Sequence, residues 1–98
     1  VTAARPLPAA FDLTGRVALV TGAGAPDGIG MATARLLGEL GASVAVGATS
    51  DRALRRAEEL VAAGVPAVGV VADLTVEAQV RRAVAEVTDA LGAPTVLV

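Results

Sequence analysis

Residues 16–40 read RVALVTGAGAPDGIGMATARLLGEL, and this stretch decides the fold of the chain. Arg16-Val17-Ala18-Leu19-Val20 is a short apolar run with two β-branched residues, cut off by Thr21-Gly22. Such a run suits a strand covered on both faces, as in a parallel sheet. Gly22, Gly24, Gly28 and Gly30 then allow a sharp turn and leave room for another group beside the backbone. From Ile29 the apolar positions take a helical period through the Thr33 methyl, Leu36, Leu37 and Leu40, and Gly41 supplies the stop. A strand feeding a helix through a glycine turn aims free backbone N–H groups and the positive helix end at one point, which suits a phosphate. Glycine turns also occur with no ligand; the flanking strand and helix favour the phosphate here.

The segments farther out repeat the alternation. Residues 43–47 form a second expected strand, followed by a helix over about residues 51–63. The apolar stripe of that helix is Leu54, Ala57, Leu60 and Val61, while Arg52, Arg55, Arg56, Glu58 and Glu59 are expected mostly to face water. Residues 66–71 make a third strand, with proline at its first position, where a missing N–H is tolerated. Thr75 is expected to cap a third helix whose apolar positions are Val76, Val80, Ala83, Val84, Val87 and Leu91. Gly92 and Pro94 end it, and residues 95–98 begin a fourth strand. Strands alternating with helices imply right-handed crossovers and a parallel sheet. The expected architecture is a partial, doubly wound α/β fold with four strands in the order 3-2-1-4 and three helices.

Residues 1–10, VTAARPLPAA, have two prolines and no periodicity, and are expected to form an N-terminal arm. Residues 11–98 are the expected domain, with Phe11 and Leu13 packed against the sheet edge. In a finished sheet of this order the fourth strand is central, so the chain is expected to be the N-terminal part of a longer protein.

Composition removes several classes of function. The chain has 98 residues, 54% of them hydrophobic, almost all alanine, valine and leucine, which suits thin strands and closely packed helices. Its net charge of −2 comes with no block of like charge, so neither nucleic acid nor an anionic membrane is an expected partner. Without cysteine there is no disulfide and no thiolate metal site, a composition compatible with the cytoplasm. The longest uncharged run, residues 60–72, contains Gly64, Pro66 and Gly69 and is too short to span a bilayer. All eight basic residues are arginine, and lysine, histidine and tyrosine are missing. The usual acid–base groups near neutral pH are therefore absent apart from carboxylates, and no catalytic or metal-binding residue is assigned.

Thr21-Gly22, five residues, then Gly28-Ile29-Gly30 resembles the T-G-x-x-x-G-x-G signature of the short-chain dehydrogenase/reductase family. The loop is two residues longer, with Pro26 and Asp27 inside it. Its Gly-Ile-Gly resembles the ordinary reductase branch more than the enoyl-carrier-protein reductase branch. The resemblance covers residues 11–98 and implies a Rossmann-like fold. It also implies an NAD(P)-dependent oxidoreductase that moves hydride between nicotinamide and a small carbonyl or alcohol substrate. Relatives continue from a segment like Thr95-Val96-Leu97-Val98 into Asn-Asn-Ala-Gly and, later, a catalytic Ser and a Tyr-x-x-x-Lys pair. These residues are therefore expected to supply cofactor binding alone, within a homo-oligomer, often a tetramer in relatives. The other function weighed is a non-catalytic NADP(H)-sensing module that keeps the fold and loses the reaction.

The cofactor expected is NADP rather than NAD. An NAD site usually carries an acid at the end of the second strand, and Gly47-Ala48-Thr49-Ser50 offers none. The segment resembles that of NADP-dependent β-ketoacyl-carrier-protein reductases, which implies that Thr49 and Ser50 contact the 2′-phosphate, assisted by Arg52. Either hydroxyl could equally cap the next helix. Asp27 stands just before Gly-x-Gly, where many NADP enzymes place an arginine, and argues the other way. By the same resemblance Asp73 accepts a hydrogen from the adenine amino group and the Leu74 backbone lies on the ring, though Asp-Leu-Thr also suits a capping turn. Gly22 and Ile29 are implied beside the pyrophosphate, Gly28 shapes the approach, and Thr21 ties down the turn.

Overall fold

The computed structural model describes residues 11–98, and the expected arm at residues 1–10 lies outside them. The elements in chain order are β1 (Val17–Val20), α1 (Ile29–Glu39), β2 (Ser43–Ala48), α2 (Arg52–Ala62), β3 (Ala67–Val71), α3 (Glu77–Leu91) and β4 (Val96–Leu97). The sheet order is β3-β2-β1-β4 with every pairing parallel, as the alternation of elements predicts. Val17 to Val20 pair with Ser43 to Val46, and Val44 to Ala48 pair with Ala67 to Val71.

The strands β1 and β2 are apolar on both faces because each face is covered. Val20, Val44 and Val46 pack with Met31 and Ala34 of α1 and Ala57 and Leu60 of α2. Val17, Leu19, Ala45 and Val70 pack with Ala83 and Val87 of α3 on the opposite side. Alternate residues of one strand thus feed two separate cores, the pattern of a sheet sandwiched between helices. Met31 and Leu60 are almost wholly buried, and burial of side chains this size stabilises by about 1.5–3 kcal/mol each.

The helix faces differ from the expected stripes. Ile29 and Leu36 of α1 are exposed, and Met31 and Ala34 take the core instead. On α2, Leu54 and Val61 are about half exposed, whereas Ala53, Arg56, Ala57 and Leu60 are buried. Val76 and Val84 of the third stripe are likewise exposed. The start of α1 lies close against the turn after β1: a Cβ on Gly30 would stand 2.6 Å from the Gly22 carbonyl oxygen. Arg56 is the buried charge the reading assigned to water, and Glu59 answers it at 3.0 Å. Phe11 is 60% exposed and takes no place against the sheet, while Leu13 packs on the α1–α2 side of the core.

Thr75 is not the cap of α3. The helix starts one residue later with Val76 at the cap position, and the Thr75 hydroxyl donates to Asp73 Oδ1 at 2.6 Å.

Candidate functional site

Parallel pairing brings the carboxyl ends of β1, β2 and β3 to the same end of the sheet. A cleft of about 520 Å³ opens there, lined by Thr21, Gly22, Gly24 and Ala25 after β1, Gly47 to Ser50 at the end of β2, and Ala72 to Thr75 after β3. Of the residues singled out in the sequence, Gly22, Thr49, Ser50, Asp73 and Leu74 line this cleft. Asp27, Gly28 and Ile29 do not; they stand beside it at the start of α1.

The turn after β1 is built from backbone. Gly22 has φ +65°, a left-handed conformation that favours glycine, and so directs the chain out of the strand. Ala23 N–H donates to Gly47 O at 3.0 Å, and Thr21 donates through both its N–H and its hydroxyl to Val98 O, at 2.9 and 2.8 Å. Thr21 thus ties the turn down, as expected. Gly28 takes the cap position of α1 with extended backbone, and the first helical bond runs from Ala32 N–H to Gly28 O at 3.1 Å. The N–H groups of Ile29, Gly30 and Met31 have no acceptor among the described residues. They form a positive end suited to an anion. Asp27 is exposed and makes no ion pair with a described residue; the Ile29 side chain is 88% exposed.

At the end of β2, Thr49 and Ser50 are exposed and no acid lies before Asp51, whose carboxylate faces Arg55 at 3.6 Å. Ser50 Oγ accepts a long bond from Arg52 N–H at 3.4 Å, so it contributes to the start of α2 without serving as the cap residue, which is Asp51. Arg52 lines the cleft and is the one described arginine whose side chain has neither an ion pair nor a hydrogen bond. Gly24 lies against it: a Cβ there would be 3.2 Å from Ala48 Cβ and 3.6 Å from Arg52 Cβ. In the sequence nothing distinguishes Gly24 from the other glycines of the turn; its close approach to Ala48 and Arg52 does.

Asp73 Oδ1 accepts from Thr75 N–H at 2.9 Å and from the Thr75 hydroxyl at 2.6 Å, and its own N–H donates to Gln79 Oε1 at 2.7 Å. The Thr75 hydroxyl, and then the Thr75 N–H, hold the Asp73 carboxyl below its usual 3.8, so it is an anionic acceptor at neutral pH. Its Oδ2 accepts no bond among the described residues. Leu74 is 49% exposed on the cleft wall.

The family model for short chain dehydrogenase matches residues 16–98. The chain is 42% identical over 89 residues to 3-oxoacyl-[acyl-carrier-protein] reductase FabG of Pseudomonas aeruginosa, covering 90% of this chain and 35% of that protein. It is also similar to the crystal structure of a short-chain type dehydrogenase/reductase from Mycobacterium marinum, with TM-score 0.80 and 38% identity. That match covers 89% of this chain and 35% of the other. The chain therefore spans about a third of the length of these relatives. With the strand, the glycine turn and the helix all inside the matched residues, the chain belongs to the short-chain dehydrogenase/reductase family of oxidoreductases.

Proposed function

We propose that this chain holds NADP(H) for an oxidoreductase that moves hydride between nicotinamide and a small carbonyl or alcohol substrate. Residues 11–98 are, in this reading, the nucleotide-holding part of a Rossmann-like domain, and residues 1–10 an arm before it. The nicotinamide supplies the hydride chemistry when bound, and the residues here supply grip and orientation. The unsatisfied N–H groups of Ile29, Gly30 and Met31 and the Gly22 turn would take the pyrophosphate. Asp73 Oδ2 would accept from the adenine amino group, with Leu74 against the ring. The reading extends to a homo-oligomer, as the family resemblance implies, and to the cytoplasm, with which the cysteine-free composition is compatible.

The observation that carries NADP over NAD is the acid-free rim of Thr49 and Ser50 beside Arg52, a cation with no partner side chain among the described residues. A 2′-phosphate would supply that partner, and a bidentate guanidinium–phosphate contact is among the stronger polar pairs. Asp27 on the opposite loop is too exposed to cancel it at full strength, since solvent and salt screen its charge. Calorimetric titration of Thr49→Asp tests this. The new carboxylate is expected to weaken NADPH binding by about tenfold or more and NADH binding little. Equal losses for the two cofactors would remove the 2′-phosphate from this rim.

A further inference from the structure

The loop from Ala23 to Gly28 has little to hold its middle. Its ends are fixed by Ala23 N–H to Gly47 O at 3.0 Å and by a 3.3 Å bond from Gly28 N–H to Ala25 O. Between them Pro26 and Asp27, the two residues that lengthen the loop, are exposed. Among the described residues this middle section receives one bond from elsewhere: Arg35 Nη1–H donates to Pro26 O at 3.3 Å. Arg35 is on the second turn of α1, and its other terminal nitrogen faces Glu59 Oε2 of α2 at 3.9 Å. Glu59 Oε1 in turn receives Arg56 Nη2 at 3.0 Å, and Arg56 is only 9% exposed.

We infer that Arg35 is a positioning residue for the phosphate-binding loop, anchored through Glu59 to the buried guanidinium of Arg56. Stability alone gives weak grounds for this chain of charges. Exposed pairs such as Arg35–Glu59 contribute little, and Arg56 Nε is buried without a hydrogen-bond partner, which costs stability. What the relay does supply is direction. A guanidinium fixed by burial holds Glu59, Glu59 draws Arg35 toward α2, and Arg35 holds the Pro26 carbonyl. A glycine-rich loop ordered before binding loses less entropy when the ligand arrives. The inference rests on the dinucleotide reading of the cleft and adds which side chain shapes its pyrophosphate end.

The test separates ligands by how far they reach. NADP⁺ spans both the pyrophosphate loop and the β2 rim, whereas adenosine 2′-monophosphate has no pyrophosphate to offer the loop. In calorimetric titrations of the full chain, Arg35→Gln is expected to weaken NADP⁺ by about fivefold and to leave adenosine 2′-monophosphate within about twofold, the size expected for one lost tether. Arg35→Lys, which can still donate to Pro26 O, is expected to recover most of the loss. Glu59→Gln leaves Arg35 in place without its anchor, and should give the same split at about threefold; it decides the matter if Arg35→Gln fails to fold. An equal loss for the two ligands, or none for either, overturns the positioning role while leaving the cleft a nucleotide site. An unsubstituted chain that binds neither ligand overturns the dinucleotide reading and the positioning role with it.

Discussion

The tripeptide Asp-Leu-Thr occurs twice, at Asp12-Leu13-Thr14 and at Asp73-Leu74-Thr75, and the two copies fold alike. In each the aspartate Oδ1 accepts from the threonine N–H at 2.9 Å and from the threonine hydroxyl at 2.6 Å. In each these bonds lower the carboxyl pKa. Their surroundings differ. The first copy precedes β1, at the amino end of the sheet, where Leu13 N–H bonds Leu40 O at 2.8 Å and the Leu13 side chain packs on the core. The second follows β3, at the carboxyl end, where Leu74 lines the open cleft. The local sequence therefore specifies the turn, and the end of the sheet specifies what the turn can reach. Only the carboxyl end gathers the Gly22 turn, the start of α1 and the Arg52 rim.

The two leucines give the largest contrast. Leu13→Ala removes packing from the α1–α2 core and is expected to destabilise by about 2 kcal/mol in denaturant unfolding, with NADP⁺ affinity unchanged once folded. Leu74→Ala removes a half-exposed side chain and should change stability by no more than about 0.5 kcal/mol while weakening NADP⁺ by about fivefold. A Leu74→Ala chain that binds normally would mean that the second copy is a structural turn like the first.

The same contrast explains what could be read in the sequence. Element type and strand order were legible because strands alternate with helices along the chain, and Gly41, Gly64 and Gly92 all fall just after the helices they end. The cleft residues Thr49, Ser50, Asp73 and Leu74 were legible because the family resemblance singles out the segments that follow the second and third strands, and parallel pairing brings those strand ends together. Helix faces were not. The helical period through Ile29, Thr33, Leu36 and Leu37 marks one face of α1, but the helix buries Met31 and Ala34 and leaves Ile29 and Leu36 exposed. Arg56 was assigned to water by its charge, although Ala53, Arg56, Ala57 and Leu60 follow the i, i+3, i+4, i+7 spacing of a buried face. The Arg35 contact with Pro26 O had no sequence signal, because it depends on where the lengthened loop folds back over α1.

A smaller effect is expected from the acids. Asparagine keeps an oxygen for the threonine bonds, so Asp12→Asn and Asp73→Asn should both retain the turn. Asp73→Asn also loses a full negative charge facing the cleft and is expected to weaken NADP⁺ by about threefold to fivefold, against no change for Asp12→Asn. Fluorescence titration of NADPH distinguishes the two variants. Equal affinities would move the adenine away from Asp73.

The smallest effect should be one the two copies share. Both carboxyls have folded pKa values below the ordinary 3.8, because threonine bonds favour the charged form. A lowered pKa contributes stability that is fully present above the unfolded value and is lost as pH falls through the folded one. Melting temperature is thus expected to fall as pH drops below about 4, and Asp12→Asn and Asp73→Asn should each flatten that acid limb slightly and to a similar degree. Both groups are open to solvent, so the changes should be small beside the loss from Leu13→Ala. If Asp73→Asn alone flattened the limb, the two turns would differ in electrostatics as well as in position. The cleft, rather than the tripeptide, would then be setting the acidity of Asp73.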